Sequence, residues 1–190
     1  MILQTKMTNN SERKIWFVRH AQSEYNKNHL FTGWHDPELT EKGFEVAKTL
    51  STELSSISFD HIYSSPLKRA SSTAKCIVNN TAVIKYDERL KERSYGDWSG
   101  LNKSDIKEKI GEEQFFSARR GWDTKPPNGE SLKDVSLRVG SFINSLPEIG
   151  NILVVSHGNT IRAISVLLGI NNEDEVSSYE IKTGTYLLTK

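Results

Sequence analysis

Apolar residues fall along this chain in two rhythms. Short runs at 15–18, 59–63, 82–86 and 152–155, with a further one at 185–188, have the length and bounding residues of strands. Those at 15–18 and 152–155 are continuous rather than alternating, as expected of strands covered on both faces. Between the runs, apolar positions recur at three- and four-residue spacing. Leu132, Val135, Val139, Phe142, Ile143 and Leu146 follow Ser131, with Asp134 three residues on, which is the spacing of a capping box. Thr40 stands as the N-cap of a second helix turning Phe44, Ala47, Leu50 and Leu54 inward. Ser65 with Pro66 reads as the cap and first turn of a third helix reaching about residue 79, and a fourth follows His157. Strands alternating with helices predict an α/β domain, a three-layer sandwich with a mostly parallel central sheet and helices on both faces.

Between 90 and 130 the pattern changes to short charged segments broken by Gly96, Gly100, Gly111, Gly121 and the turn Pro126-Pro127-Asn128-Gly129. A structureless loop of that length is unusual inside a domain, so short helices are expected near 103–110 and 112–118, forming a lid-like insertion. With 190 residues, one domain over 15–190 is expected, preceded by a loose polar tail at 1–14.

Charge removes some partners. Lys and Arg number 25 against 24 Asp and Glu, a net +1, so no global basic field invites nucleic acid or an acidic membrane. No apolar run is long enough to span a bilayer, and residues 1–14 lack the apolar core of a secretory signal. The single Cys76 falls within a predicted helix, where a small buried thiol is the plain reading. A cytoplasmic location is the expectation.

The chemistry lies just past the strand ends. Val18 runs into Arg19-His20, and Val155-Ser156 into His157-Gly158-Asn159. In open α/β sheets ligands bind beyond the carboxyl ends of the strands, so the two histidines are expected to converge, although a lone histidine is more often structural. The run at 59–63 leads into Ser64-Ser65-Pro66-Leu67-Lys68-Arg69, which puts basic residues at a helix start. Cations are disfavoured there unless an anion sits between them and the amides. Lys68 is read as pointing into solvent, and Arg69 as joining Arg19. Two arginines, two histidines and a helix N-terminus suit a phosphoryl group: neutral His20 attacks phosphorus while Arg19, Arg69 and a protonated or donor His157 offset its charge without a metal. A proton shuttle is also needed, and Glu92, in the turn-rich 90–96 segment, is the candidate. A surface ion pair of Glu92 with Lys91 or Arg93 is the competing reading.

These residues also form a recognisable series. Arg19-His20-Ala21-Gln22-Ser23 resembles the Arg-His-Gly-Glu-Ser motif of the histidine phosphatase superfamily. Phe31-Thr32-Gly33-Trp34, the 90–103 segment, Gly111-Glu112-Glu113-Gln114, Arg119-Arg120, Glu130-Ser131-Leu132-Lys133-Asp134 and His157-Gly158-Asn159 are similar, in order, to blocks of its cofactor-dependent phosphoglycerate mutases. The resemblance implies a phosphoglycerate mutase-like fold. It implies that His20 becomes phosphohistidine, that His157 supports the transfer, that Arg19 and Arg69 hold the phosphate, and that Glu92 is the acid/base. It further implies substrate contacts from Ser23, Asn26, Thr32, Gly33, Arg93, Tyr95, Lys103, Arg119, Arg120, Gly158 and Asn159. The implied reaction interconverts 3-phosphoglycerate and 2-phosphoglycerate, with 2,3-bisphosphoglycerate as primer, no metal, and a homodimer or homotetramer as the assembly. Ala21, Ser94 and Gly121-Trp122 depart from the family pattern, and Lys190 closely follows the last predicted strand, where the family carries a longer tail that helps close the site. A phosphatase of small phosphomonoesters on the same site is the alternative. A non-catalytic phospho-ligand module would be marked by loss of a core residue, and none is lost.

Overall fold

A computed structural model describes residues 12–190, so nearly all of the expected tail at 1–14 lies outside the described residues. In chain order the elements are β1 (Arg13–Arg19), α1 (Glu24–Lys27), α2 (Glu41–Glu53), β2 (His61–Ser64), α3 (Lys68–Ile77), β3 (Lys85–Tyr86), α4 (Lys103–Ile110), α5 (Glu112–Arg120), α6 (Leu132–Ile143), β4 (Gly150–Ser156), α7 (Gly158–Leu167) and β5 (Tyr186–Thr189). The sheet runs β3-β2-β4-β1-β5. β1 lies parallel to β4 from Arg13↔Gly150 to Arg19↔Ser156, β2 is parallel to both β4 and β3, and β5 alone is antiparallel, against β1.

The continuous apolar runs are explained by two-sided burial. Ile15, Phe17, Ile152 and Val154 face one core with Val135, Val139 and Phe142 of α6 and Ile161 and Ile164 of α7. Trp16, Val18, Leu153 and Val155 face the other with Leu50 of α2, Leu54 at its end, and Ala70, Ala74 and Ile77 of α3. Alternate side chains of one strand thus serve two helical layers. Thr40 accepts from the Gly43 amide, and Ser131 with Asp134 forms the expected capping box. Cys76, on α3, is half-buried.

Four local expectations are corrected. Phe44 is exposed, because α2 presses Gly43, Ala47 and Leu50 inward and Gly43 packs on the Gln22 carbonyl, where a Cβ would collide. The run at 82–86 yields only a two-residue strand, since Tyr63↔Lys85 and Ser64↔Tyr86 are its whole ladder. The run at 59–63 pairs as a strand only over His61–Ser64. Helix α3 starts at Lys68 behind Leu67 instead of at Ser65-Pro66, because the Ser65 hydroxyl turns toward His157 and the Lys68 amide is taken by Asp36.

In the 90–130 region, α4 and α5 form a separate small core in which Phe31, Tyr95, Trp98, Ile106, Phe115 and Ala118 pack together. Among the described residues no helix is long and apolar enough to cross a membrane.

Candidate active site

The carboxyl ends of β1 and β4 lie side by side, Arg19 paired with Ser156, so the residues that follow both strands meet. The His20 and His157 rings stand edge to face with centroids 5.0 Å apart. His20 is 2% exposed and backs a cleft lined also by Arg19, Asn26, Thr32, Gly33, Arg69, Glu92, Tyr95, Lys103, Arg119, Arg120, Gly158 and Asn159.

The hydrogen bonds fix the state of His20. Arg69 Nε donates to His20 Nε2 at 3.2 Å, and an arginine has only protons to offer. Nε2 therefore carries the lone pair. The ring proton sits on Nδ1, which donates to the Ala21 carbonyl at 2.6 Å. Burial, then the charges of Arg69 and Arg19, hold the His20 pKa well below its usual range, so the ring is neutral. The side chain of Ala21, where the family usually has glycine, is fully buried beside Leu39 and Ala47, and its amide donates to Thr73 Oγ1.

Arg69 is buried, and its terminal nitrogens donate to the carbonyls of His35 and Gly33, both at 2.9 Å. One N–H on each terminal nitrogen remains for a ligand. Arg19 gives Nη1 to the Ile181 carbonyl at 2.6 Å, while its buried Nε has no partner. Its guanidinium lies against Gly158, where an added Cβ would stand 3.3 Å from Nε, so a side chain at 158 would press on Arg19. The anticipated opening at the start of α3 is absent. Asp36 Oδ1 accepts from the Lys68 amide at 2.6 Å, and the Lys68 ammonium reaches outward to Glu38. The helix start that faces the cleft is that of α7, through Gly158 and Asn159.

Glu92 is buried, not part of a surface pair. Lys91 pairs with Glu88, and the Arg93 guanidinium turns away toward the carbonyls of Ala118 and Arg119. Glu92 Oε1 accepts from the amides of Arg93 at 2.9 Å and Asn159 at 3.2 Å. Its backbone is moored by Trp34 and Arg138, and its neighbours by Ser156 and Thr160. A loop residue is thereby held as firmly as one on a strand.

Three sequence candidates stay outside the cleft lining. Arg93 pins the end of α5. Ser23 caps α1 and bonds Asn26. His157 lies behind His20 with Nε2 2.8 Å from Ser65 Oγ and Nδ1 unpartnered. Burial and the charge of Arg69 hold its pKa well below the usual range, so a protonated His157 is replaced by a neutral one. Conversely, the cleft includes Arg162, Tyr179, Glu180 and Ile181, which the sequence reading passed over. A signal existed for Arg162 alone: it interrupts the apolar run of α7 between Ile161 and Ala163.

The far side of the cleft is cationic. Burial and the neighbouring charges of Arg119 and Arg19 bring Lys103 down to about 8, and burial lowers Arg119 as well. Arg120 reaches the Ser177 carbonyl at 3.4 Å and Glu180 at 3.9 Å.

Residues 15–186 match the histidine phosphatase superfamily, branch 1. A 2,3-bisphosphoglycerate-dependent phosphoglycerate mutase of Bartonella bacilliformis is 42% identical over 188 residues, covering 93% of this chain and 91% of its own. One of the same name from Mesorhizobium japonicum is 41% identical, covering 90% and 89%. Among solved structures, a mycobacterial glucosyl-3-phosphoglycerate phosphatase superposes with a TM-score of 0.82 at 28% identity, over 93% of this chain and 89% of that one. The alpha-ribazole phosphatase of Shigella flexneri superposes with a TM-score of 0.80 at 27% identity, over 92% and 89%.

Proposed function

This chain belongs to the histidine phosphatase superfamily, and from that membership we propose that it interconverts 3-phosphoglycerate and 2-phosphoglycerate through a phosphohistidine at His20, primed by 2,3-bisphosphoglycerate. The observation that carries the reading is the placing of Lys103, Arg119 and Arg120 in the same cleft as the His20 lone pair. One phosphoryl group needs cations around itself only. A phosphoglycerate brings a carboxylate and its bisphosphate a second phosphate, so a mutase needs further positive charge some distance away. The buried, unpartnered Arg19 Nε and the lowered proton affinity of Lys103 and Arg119, due first to burial and then to neighbouring cations, fit a polyanionic ligand.

In this mechanism His20 Nε2 takes the phosphoryl group as its P–O bond breaks, and Glu92 protonates the departing alkoxide. With His20 so primed, a 3-phosphoglycerate offers its one free hydroxyl, Glu92 withdraws that proton, and the P–N bond breaks as the new P–O bond forms; the resulting bisphosphate returns its other phosphoryl group to His20 and leaves as 2-phosphoglycerate. Arg19 and Arg69 hold the equatorial oxygens throughout. His157 keeps His20 in place from behind. The names of the curated relatives support this substrate.

A second reading, hydrolysis of small phosphomonoesters at the same histidine, is favoured by the phosphatases among the solved structures. One coupled assay separates the two: conversion of 3-phosphoglycerate with and without added 2,3-bisphosphoglycerate, with free phosphate measured alongside. Conversion that depends on the primer, with little phosphate released, is expected. Phosphate release without conversion would mean a phosphatase. Acid-labile, base-stable phosphate should map to His20, and turnover surviving in His20→Ala would end the covalent mechanism.

A further inference from the structure

Arg162 sits within α7 at 6% exposure, among Ile161, Ala163 and Ile164, where an arginine needs a specific reason. Its Nε donates to the Tyr179 carbonyl at 2.7 Å, and its Nη2 to the carbonyls of Val176 and Ser177, each at 2.7 Å. Nη1 donates to Asn159 Oδ1 at 3.3 Å. The guanidinium therefore joins two things: Asn159, one turn earlier on the same helix, and the strap 176–181, whose Tyr179, Glu180 and Ile181 line the cleft.

The bond to Asn159 settles a hydrogen-bond direction. A guanidinium cannot accept, so Asn159 must turn its oxygen toward Arg162. Its Nδ2 then faces Tyr95 Oη at 3.1 Å and donates to it. With that lone pair occupied, the Tyr95 O–H proton is directed to another acceptor, and Tyr95 lines the cleft. Asn159 and Tyr95 thus present donors to the cleft that Lys103, Arg119 and Arg120 also line, with Tyr95 near Arg119.

We propose that Arg162 is a positioning residue for the ligand's anionic group remote from the transferred phosphoryl: it fixes Asn159 and Tyr95 as donors and holds the 176–181 strap as a wall. This rests on the mutase reading above. Arg162 acts without needing to touch the ligand, so its loss should raise KM for 3-phosphoglycerate while leaving turnover of a plain aryl phosphate, which carries no second anion, within about twofold.

The test compares Arg162→Lys, Tyr95→Phe and the double variant, each checked for wild-type circular dichroism. Lysine keeps the charge but cannot bridge Asn159 and three carbonyls. Each single variant should raise KM for 3-phosphoglycerate about tenfold or more, and the double variant should add little, because both break one relay. Full additivity overturns the relay, as does an unchanged KM in Arg162→Lys or an equal loss with the aryl phosphate. If Arg162→Lys does not fold, Asn159→Asp decides. Its carboxylate keeps the bond to Arg162 but accepts from Tyr95, so the Tyr95 donor should be lost and KM should rise; an unchanged KM overturns the proposal. Wild-type protein that neither binds nor converts 3-phosphoglycerate would remove the mutase reading and this inference together. Wild-type activity with unaffected variants removes the inference alone.

Discussion

The two ends of the cleft are built differently. The phosphoryl end, with Arg19, His20 and Glu92, stands at the carboxyl edge of the two most buried strands, and hydrogen bonds within the protein hold His20 and Glu92 in place. The opposite end, with Lys103, Arg119 and Arg120, stands on α4 and α5, two short helices with their own small core, and burial, then neighbouring cations, lowers the proton affinity of Lys103 and Arg119. The first end is fixed before any ligand arrives; the second is a group of like charges awaiting one. On the proposed function, chemistry would belong to the end at the sheet edge and substrate choice to the cations of α4 and α5.

That division is open to test, starting with the largest effect. Glu92→Gln preserves shape and loses the proton shuttle, so turnover should fall by roughly 10² to 10⁴ for phosphoglycerate and for any substrate whose leaving group needs a proton, with KM little changed. Near-normal turnover in steady-state kinetics would make Glu92 structural.

Next in size, Arg119→Ala/Arg120→Ala should lower kcat/KM for 3-phosphoglycerate by about a hundredfold or more, each charge-assisted contact contributing about 1.5 to 3 kcal/mol, and spare an aryl phosphate. Equal loss of both activities would mean that the ends are not separable, because Arg93 ties the end of α5 to the residue beside Glu92.

A smaller effect follows from Lys103. Facing Arg119, Arg19, Arg120 and Glu92, it gives up its proton near pH 8 in the free protein. Above that pH, kcat/KM for phosphoglycerate should fall by up to about tenfold per unit, and the aryl phosphate profile should lack this limb. Lys103→Arg should carry the limb to higher pH. Phosphoglycerate binding near pH 8 to 9 should also take up protons, measurable as a buffer-dependent heat in calorimetry.

The smallest effect concerns stability. His20 and His157 are held well below their ordinary pKa of 6.5 when folded, so below that pH the unfolded chain binds protons that the folded chain refuses. Stability present above pH 6.5 should decline as the pH falls further, and His157→Asn should lessen the slope of denaturation midpoint against pH. An unchanged slope would place the acid sensitivity elsewhere.

How far the sequence revealed these ends differs in the same way. Unbroken apolar runs at 15–18 and 152–155 can be satisfied only between two layers, and a histidine following each run marks the reactive edge without further information. Capping at Thr40 and Ser131 is equally local. Asp36 against the Lys68 amide, Ser65 against His157 and the inward turn of Gly43 in place of Phe44 are decided by residues distant in sequence, which no spacing rule encodes. The direction of the Arg93 side chain belongs to the same class. The strap 176–181 was illegible because, apart from Glu180 beside Arg120, its contribution is made by backbone carbonyls, which every sequence has.

The placing of β1 has a kinetic consequence. It is the first strand among the described residues, yet both of its partners, β4 and β5, lie more than a hundred residues further along the chain. Closing so long a loop is entropically expensive and gives a fold of high contact order. On the ribosome, the strand that leads into His20 must wait with its edges unpaired until β4 and β5 have emerged. Until then the nascent chain is exposed to wrong strand pairing. The cleft at the carboxyl ends of β1 and β4 thus takes shape only after that late pairing.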